Sequence, residues 1–205
     1  MPGSLILVRH GPSAHIHRGG ALDADGVREW RVAYDAAGLR PGAGPDQRLI
    51  EIAAAATHIV SSDMPRAVDS VARIAFGRPV HVSALLRETP LAIPDWPTRL
   101  PLGAWDTIIY LAWRYRLMRG SDPEGLECAR VAAAVALLTG LVADGTSACV
   151  VTHGAFRLLL SQRLHECGWR DAGRRGGYGH WSTWSFTEQS ASGGHGILNE
   201  PTHGR

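Results

Sequence analysis

Apolar residues along this chain follow two rhythms. A short unbroken apolar run followed by a glycine-containing loop occurs at residues 5–8, and 58–61 and 148–152, with apolar centres, read the same way, with a weaker strand at 80–83. Such runs are the pattern of strands buried on both faces. Residues 181–186 alternate large and small side chains and read as a last strand. Between these runs the apolar positions recur near every 3.6 residues. Residues 25–37 carry Val27, Trp30, Ala33, Tyr34 and Ala37 on one stripe. Residues 48–56 are alanine-rich. Pro65 suits the first turn of a helix over 65–75. Long helical patterns occupy 126–142 and 155–165. Strands alternating with helices predict an α/β fold, a three-layer α/β/α sandwich around a mainly parallel sheet.

Two stretches break the alternation. Residues 89–101 carry Pro90, Pro94, Pro97 and Pro101 and are expected to be irregular. They lead into an aromatic, amphipathic segment at 104–118 with Trp105, Tyr110, Trp113 and Tyr115. The whole of 89–125 reads as an excursion from the main layers. Its aromatic stripe has three roles open to it: core, homodimer contact, or a lid over the substrate. Residues 190–205, rich in Gly and Ser, are expected to be a flexible tail. That leaves 1–189 as one domain.

Composition narrows the function. A net charge of +2 gives no strong pull toward nucleic acid or a membrane surface. No apolar run approaches the ~18 residues of a membrane span. The start, Met1-Pro2-Gly3-Ser4, has no basic stretch before a run too short for a signal peptide, so a cytoplasmic location is expected. Cys128, Cys149 and Cys167 form no C-x-x-C pair, and two of them lie in apolar segments read as core. All 21 basic residues are arginines. Lysine Schiff-base chemistry and a Walker A lysine are therefore excluded.

In open α/β sheets, sites form beyond the carboxyl ends of the strands. The residues there are Arg9-His10-Gly11, Ser61-Ser62-Asp63-Met64-Pro65-Arg66, Leu85-Leu86-Arg87-Glu88 and His153-Gly154. Two histidines, arginines and a glutamate would converge on one sheet edge, a set suited to phosphoryl transfer. A neutral imidazole attacks phosphorus, arginine forks neutralise the equatorial oxygens, and a carboxylic acid protonates the leaving oxygen. The helix after Gly154 offers amides and a positive dipole end to an anion.

These segments resemble the motifs of the histidine phosphatase superfamily, which includes the cofactor-dependent phosphoglycerate mutases. Leu7-Val8-Arg9-His10-Gly11 resembles its Arg-His-Gly signature, Ser61 to Ala67 its Ser-Ser-x-x-x-Arg-Ala segment, and Val150-Val151-Thr152-His153-Gly154 its second-histidine segment. Leu86-Arg87-Glu88 is similar to the segment holding its acid. Asp122-Pro123-Glu124-Gly125 with Arg130 is similar to the start of its penultimate helix. The motifs stand in the family's order. The resemblance implies a phosphoglycerate mutase-like fold and a metal-independent phosphomonoester hydrolase with no cofactor. His10 would be the phosphorylated nucleophile, and Arg9, Arg66, His153 and Gly154 the phosphate cradle. His153 would also take part in catalysis, and Glu88 would donate the proton. After Glu88 the family's usual Ile-x-x-Gly-x-Trp-Glu-Gly run is replaced by Thr89-Pro90-Leu91-Ala92-Ile93-Pro94, so the substrate wall differs there.

The expected substrate is a small phosphate ester, with a phosphoprotein as the second candidate. The rival readings are a mutase-type phosphotransferase, a non-catalytic phosphate-binding protein on the same fold, and a metallohydrolase built on His15 and His17. His180, beside Trp181 and Trp184, reads as strand packing.

Overall fold

The computed structural model describes residues 2–119 and 126–189. Asp122 to Gly125 and the tail at 190–205 lie outside the described residues. In chain order the strands are β1 (Ser4–Arg9), β2 (Ala21–Leu22), β3 (His58–Ser62), β4 (His81–Ser83), β5 (Leu100–Pro101), β6 (Ser147–Thr152), β7 (Trp169–Arg175) and β8 (Thr183–Glu188). The helices are α1 (Ala24–Ala36), α2 (Gln47–Ala55), α3 (Pro65–Ala75), α4 (Leu102–Met118), α5 (Leu126–Leu141) and α6 (Gly154–Glu166).

Six strands form one sheet in the order β4-β3-β6-β1-β8-β7. The β4–β3, β3–β6 and β6–β1 pairs are parallel, and β8 and β7 are antiparallel additions beside β1. Period-two alternation splits the central strands between two cores. Leu5 and Leu7 of β1 and Ala148 and Val150 of β6 pack with Val135 and Leu138 of α5 and Phe156 and Leu160 of α6. Val8, Cys149 and Val151 face the other way, onto Leu49 and Ala53 of α2 and Ala67, Val71 and Ile74 of α3. This is the expected three-layer α/β/α arrangement with a mainly parallel sheet.

Local chemistry sets the helix ends. Pro65 opens α3 at its first position. Asp23 caps α1 through the Gly26 amide, and Asp46 caps α2 through the Leu49 amide.

Two expectations need correction, the start of the last strand and the burial of the cysteines. The strand read at 181–186 begins only at Thr183, because Trp181 has φ 61° and sits in a left-handed turn. The excursion packs in a cluster of its own beside the two sheet cores. Trp105 and Ile109 of α4 are buried against Ala24 and Val27 of α1, with Leu22, Leu91, Ile93 and Leu100 around them, and the Trp105 indole donates to the Leu22 carbonyl (2.8 Å). Part of the aromatic stripe is therefore core, while Tyr110 and Tyr115 are exposed. Of the cysteines, Cys149 is buried but Cys128 and Cys167 are exposed. Among the described residues no helix is long and apolar enough to cross a membrane.

Candidate active site

Sheet register brings the two histidines together. β1 and β6 are parallel neighbours with Arg9 opposite Thr152, so the next residues, His10 and His153, leave the sheet side by side. The His10 amide donates to the Thr152 carbonyl (2.9 Å), and the two imidazole centroids are 4.9 Å apart. β3 lies on the other side of β6 and ends in Ser62, whose hydroxyl is 2.9 Å from His153 Nε2.

The His10 ring is held in one tautomer. Its Nδ1 lies 2.6 Å from the Gly11 carbonyl, which only accepts, so Nδ1 carries the proton. Its Nε2 accepts from Arg66 Nε at 3.1 Å, which requires a free lone pair. Burial, then His153 and Arg66, hold the His10 imidazole well below its ordinary range. His153 is likewise held low, by burial and then by Arg66 and Arg9. Both rings are therefore neutral at pH 7, and His10 Nε2 is an unprotonated nucleophile.

Arg66 sits in the first turn of α3 and is 1 % exposed. Besides His10 it reaches the Tyr34 carbonyl (3.3 Å) and the Asp35 carboxylate (3.2 Å), and its guanidinium lies over the Tyr34 ring. Ser70, one helical turn on, accepts from the Gly11 amide (2.9 Å) and donates to the Arg66 carbonyl (2.6 Å). That hydroxyl ties the loop carrying His10 to the helix carrying Arg66.

Arg9 donates to the Tyr178 carbonyl, and its guanidinium packs on Gly154, where an added Cβ would stand 3.4 Å from Nε. Arg9 Nε and His153 Nδ1 are buried and have no hydrogen-bond partner among the described residues. Gly11 is also required by space: a Cβ there would come within 2.4 Å of the Trp181 ring and 2.5 Å of Leu39.

Glu88 lies just beyond the turn of 3-10 helix at Ala84–Leu86 and reaches the start of α6. Its Oε1 accepts from the amides of Thr89 (3.0 Å) and Phe156 (2.9 Å), and its Oε2 from the amide of Ala155 (3.4 Å). It therefore caps α6, the helix that begins directly after His153. Arg87 forms a two-bond pair with Asp63, and Arg130 donates to the Leu85 (3.0 Å) and Arg87 (2.8 Å) carbonyls. These contacts fix the turn that carries Glu88.

Arg9, His10, Arg66, Glu88, His153 and Gly154 thus meet at one sheet edge. Tyr34, Ser70, Arg157 and His180 were not among the site residues singled out in the sequence. His180 lies 5.3 Å from the His10 ring, with Nδ1 3.1 Å from the His10 carbonyl, in the turn before β8 and not in strand packing. Arg157 is fully buried, lies over the Trp184 ring and donates to the Ser182 (2.8 Å) and Gly177 (3.3 Å) carbonyls. Burial pushes it down to about 9, which still leaves it cationic at neutral pH. His15 and His17 do not converge: His15 lies by Trp30, and His17 is 3.1 Å from the Gly20 carbonyl. Among the described residues no group of three or more His, Cys, Asp or Glu side chains is placed to hold a metal ion.

No family model matches the chain, and no curated protein matches it either. Solved structures do. A mycobacterial glucosyl-3-phosphoglycerate phosphatase in complex with vanadate is 23 % identical over 80 % of this chain and 82 % of its own, with a TM-score of 0.52. Its native form is 24 % identical over 80 % and 79 %, with a TM-score of 0.51. At this identity the likeness is one of fold: the chain has the α/β/α fold of that phosphatase, the fold that the motif resemblance implies.

Proposed function

We propose that the chain is a phosphomonoester hydrolase that works through a phosphohistidine on His10. One observation carries this reading: a neutral imidazole with Nδ1 donated to a carbonyl and Nε2 unprotonated, against the buried guanidinium of Arg66 and beside the half-buried Arg9. Burying cationic side chains around a neutral nucleophile is costly unless an anion joins them. A tetrahedral anion at Nε2 would meet Arg66, Arg9, His153 and the Gly154 amide, the Ala155 and Phe156 amides being held by Glu88. The solved phosphatase with this fold was crystallised with vanadate, a phosphate-like anion. Its substrate type makes a small phosphate ester the expected substrate here, ahead of a phosphoprotein.

In the first step His10 Nε2 bonds to phosphorus, the ester P–O bond breaks, and Glu88 passes its proton to the leaving oxygen. In the second step the Glu88 carboxylate takes a proton from water as that water displaces His10, releasing phosphate. Glu88 Oε2 has the longer bond to α6 and is the oxygen freer to exchange a proton.

Glu88→Gln keeps the size and most of the cap while removing the acid. It is expected to slow alkyl phosphates roughly 10²-fold, within the usual range for general acid catalysis, and p-nitrophenyl phosphate far less, because p-nitrophenolate leaves without a proton. Steady-state kinetics on both substrates check this. Equal slowing of the two classes would leave Glu88 as a helix cap alone.

The depressed His10 also fixes the acid side of the pH profile. A nucleophile titrating at the ordinary histidine value would lose kcat/KM as pH falls through ~6.5. Because His10 is lowered in the folded protein, the plateau is expected to extend below that value before the acid limb begins. The same sign holds for stability. Histidines lowered on folding stabilise fully above the unfolded value, and this contribution fades as pH falls through the folded one. Thermal melts are therefore expected to show falling stability in acid, below ~6.5.

A further inference from the structure

A cavity of about 670 Å³ opens between the proline-rich segment, α4, α5 and α6, away from His10 and His153. Its size is that of a small-molecule site, ~300–1,000 Å³. Ile93, Trp113, Leu117, Val131 and Leu159 are the large apolar residues of its wall. Charge sets it apart from mere imperfect packing. Glu127 is paired with Arg130 and Arg163 with Glu166 (both 2.8 Å), whereas Arg116 makes no ion pair or hydrogen bond through its side chain among the described residues. Among those residues the wall therefore has one uncommitted cation on an apolar lining.

We propose that this cavity binds a small amphiphilic carboxylate, with its apolar body between α4, α5 and α6 and its charge on Arg116. A single negative charge fits better than a phosphate dianion, because Glu127 and Glu166 stand on the same wall and would repel a second one. This inference does not rest on the hydrolase reading.

Isothermal titration of the full chain with decanoate and with 1-decanol tests it. Decanoate is expected to bind saturably at one site, and decanol at least about fivefold more weakly, the scale of an exposed ion pair. Arg116→Met is expected to weaken decanoate by a similar factor and leave decanol unchanged. Ala132→Trp, which fills the cavity, is expected to abolish both; if that variant does not fold, the exposed Arg116→Met decides. His10→Ala should bind decanoate as the wild type does. No saturable binding, equal binding of acid and alcohol, or loss of binding in His10→Ala would each overturn the proposal. Failure of the hydrolase reading would appear only in turnover assays and leave these titrations unchanged.

Discussion

His10→Ala is expected to lower turnover of a phosphate ester by on the order of 10⁴-fold or more, as removal of a covalent nucleophile does when nothing else can attack. Neither neighbouring imidazole occupies its place: the His153 and His180 rings are centred 4.9 and 5.3 Å from that of His10. The fold is expected to persist. His10 lies beyond β1, and the hydrogen bonds and side chains of the sheet are supplied by Leu5, Leu7 and Val8 and their partners in β6 and β8. The substitution leaves Arg66 Nε without its acceptor, so a modest loss of stability is expected, about 1–2 kcal/mol. Circular dichroism and a melting curve separate the two effects. Substantial turnover in a folded His10→Ala protein would overturn the mechanism.

Arg66→Ala is expected to lower kcat by about 10²–10³-fold, the usual effect of deleting a preorganised donor to developing charge. The side chain touches His10 directly, is almost wholly buried, and is braced by Tyr34 and Asp35, so its fork is fixed before any substrate arrives. Arg66→Lys is expected to recover only part of the loss. An ammonium group cannot hold His10 and a phosphate oxygen with one planar set of donors. Removing metals with EDTA is expected to change nothing. Loss of activity in EDTA, restored by a divalent cation, would favour the metallohydrolase reading instead. The measurements are kcat for both variants and a titration with chelator.

Much of this fold was legible because the central strands are buried on both faces. Residues 5–8 and 148–152 are nearly continuous apolar runs and 58–61 has the apolar pair Ile59-Val60 at its centre, and each became a strand. Pro65 marked the start of α3 to the residue. β7 was not legible. Of its seven residues only Trp169 is buried, and it carries Arg170, Asp171, Arg174 and Arg175, so an edge strand exposed to water wrote no alternation into the sequence. β2 and β5 are two residues each, and β5 includes Pro101, so they are fixed by their partner across the pair and not by local preference.

The candidate site divides in the same way. His10, Arg66, Glu88 and His153 stand just beyond strand ends, where an open α/β sheet places its chemistry, and could be found from that position alone. Their supporting residues could not. Tyr34 sits on an apolar stripe and looked like core. Ser70 is one serine among many in a helix. His180 reaches His10 only because β8 pairs antiparallel with β1 from the far end of the chain. The cap that Glu88 places on α6 depends on the 84–86 turn standing over the start of that helix, which no local pattern encodes.

The central claim is the phosphohistidine. Wild-type protein mixed with a ³²P-labelled phosphate ester and quenched within milliseconds in strong base should carry label on protein, since a phosphoramidate survives alkali and is lost in acid. Peptide mapping should put the label on the peptide containing His10, and His10→Ala should carry none. Label absent from wild type during rapid turnover, or present on any other residue, would contradict the account.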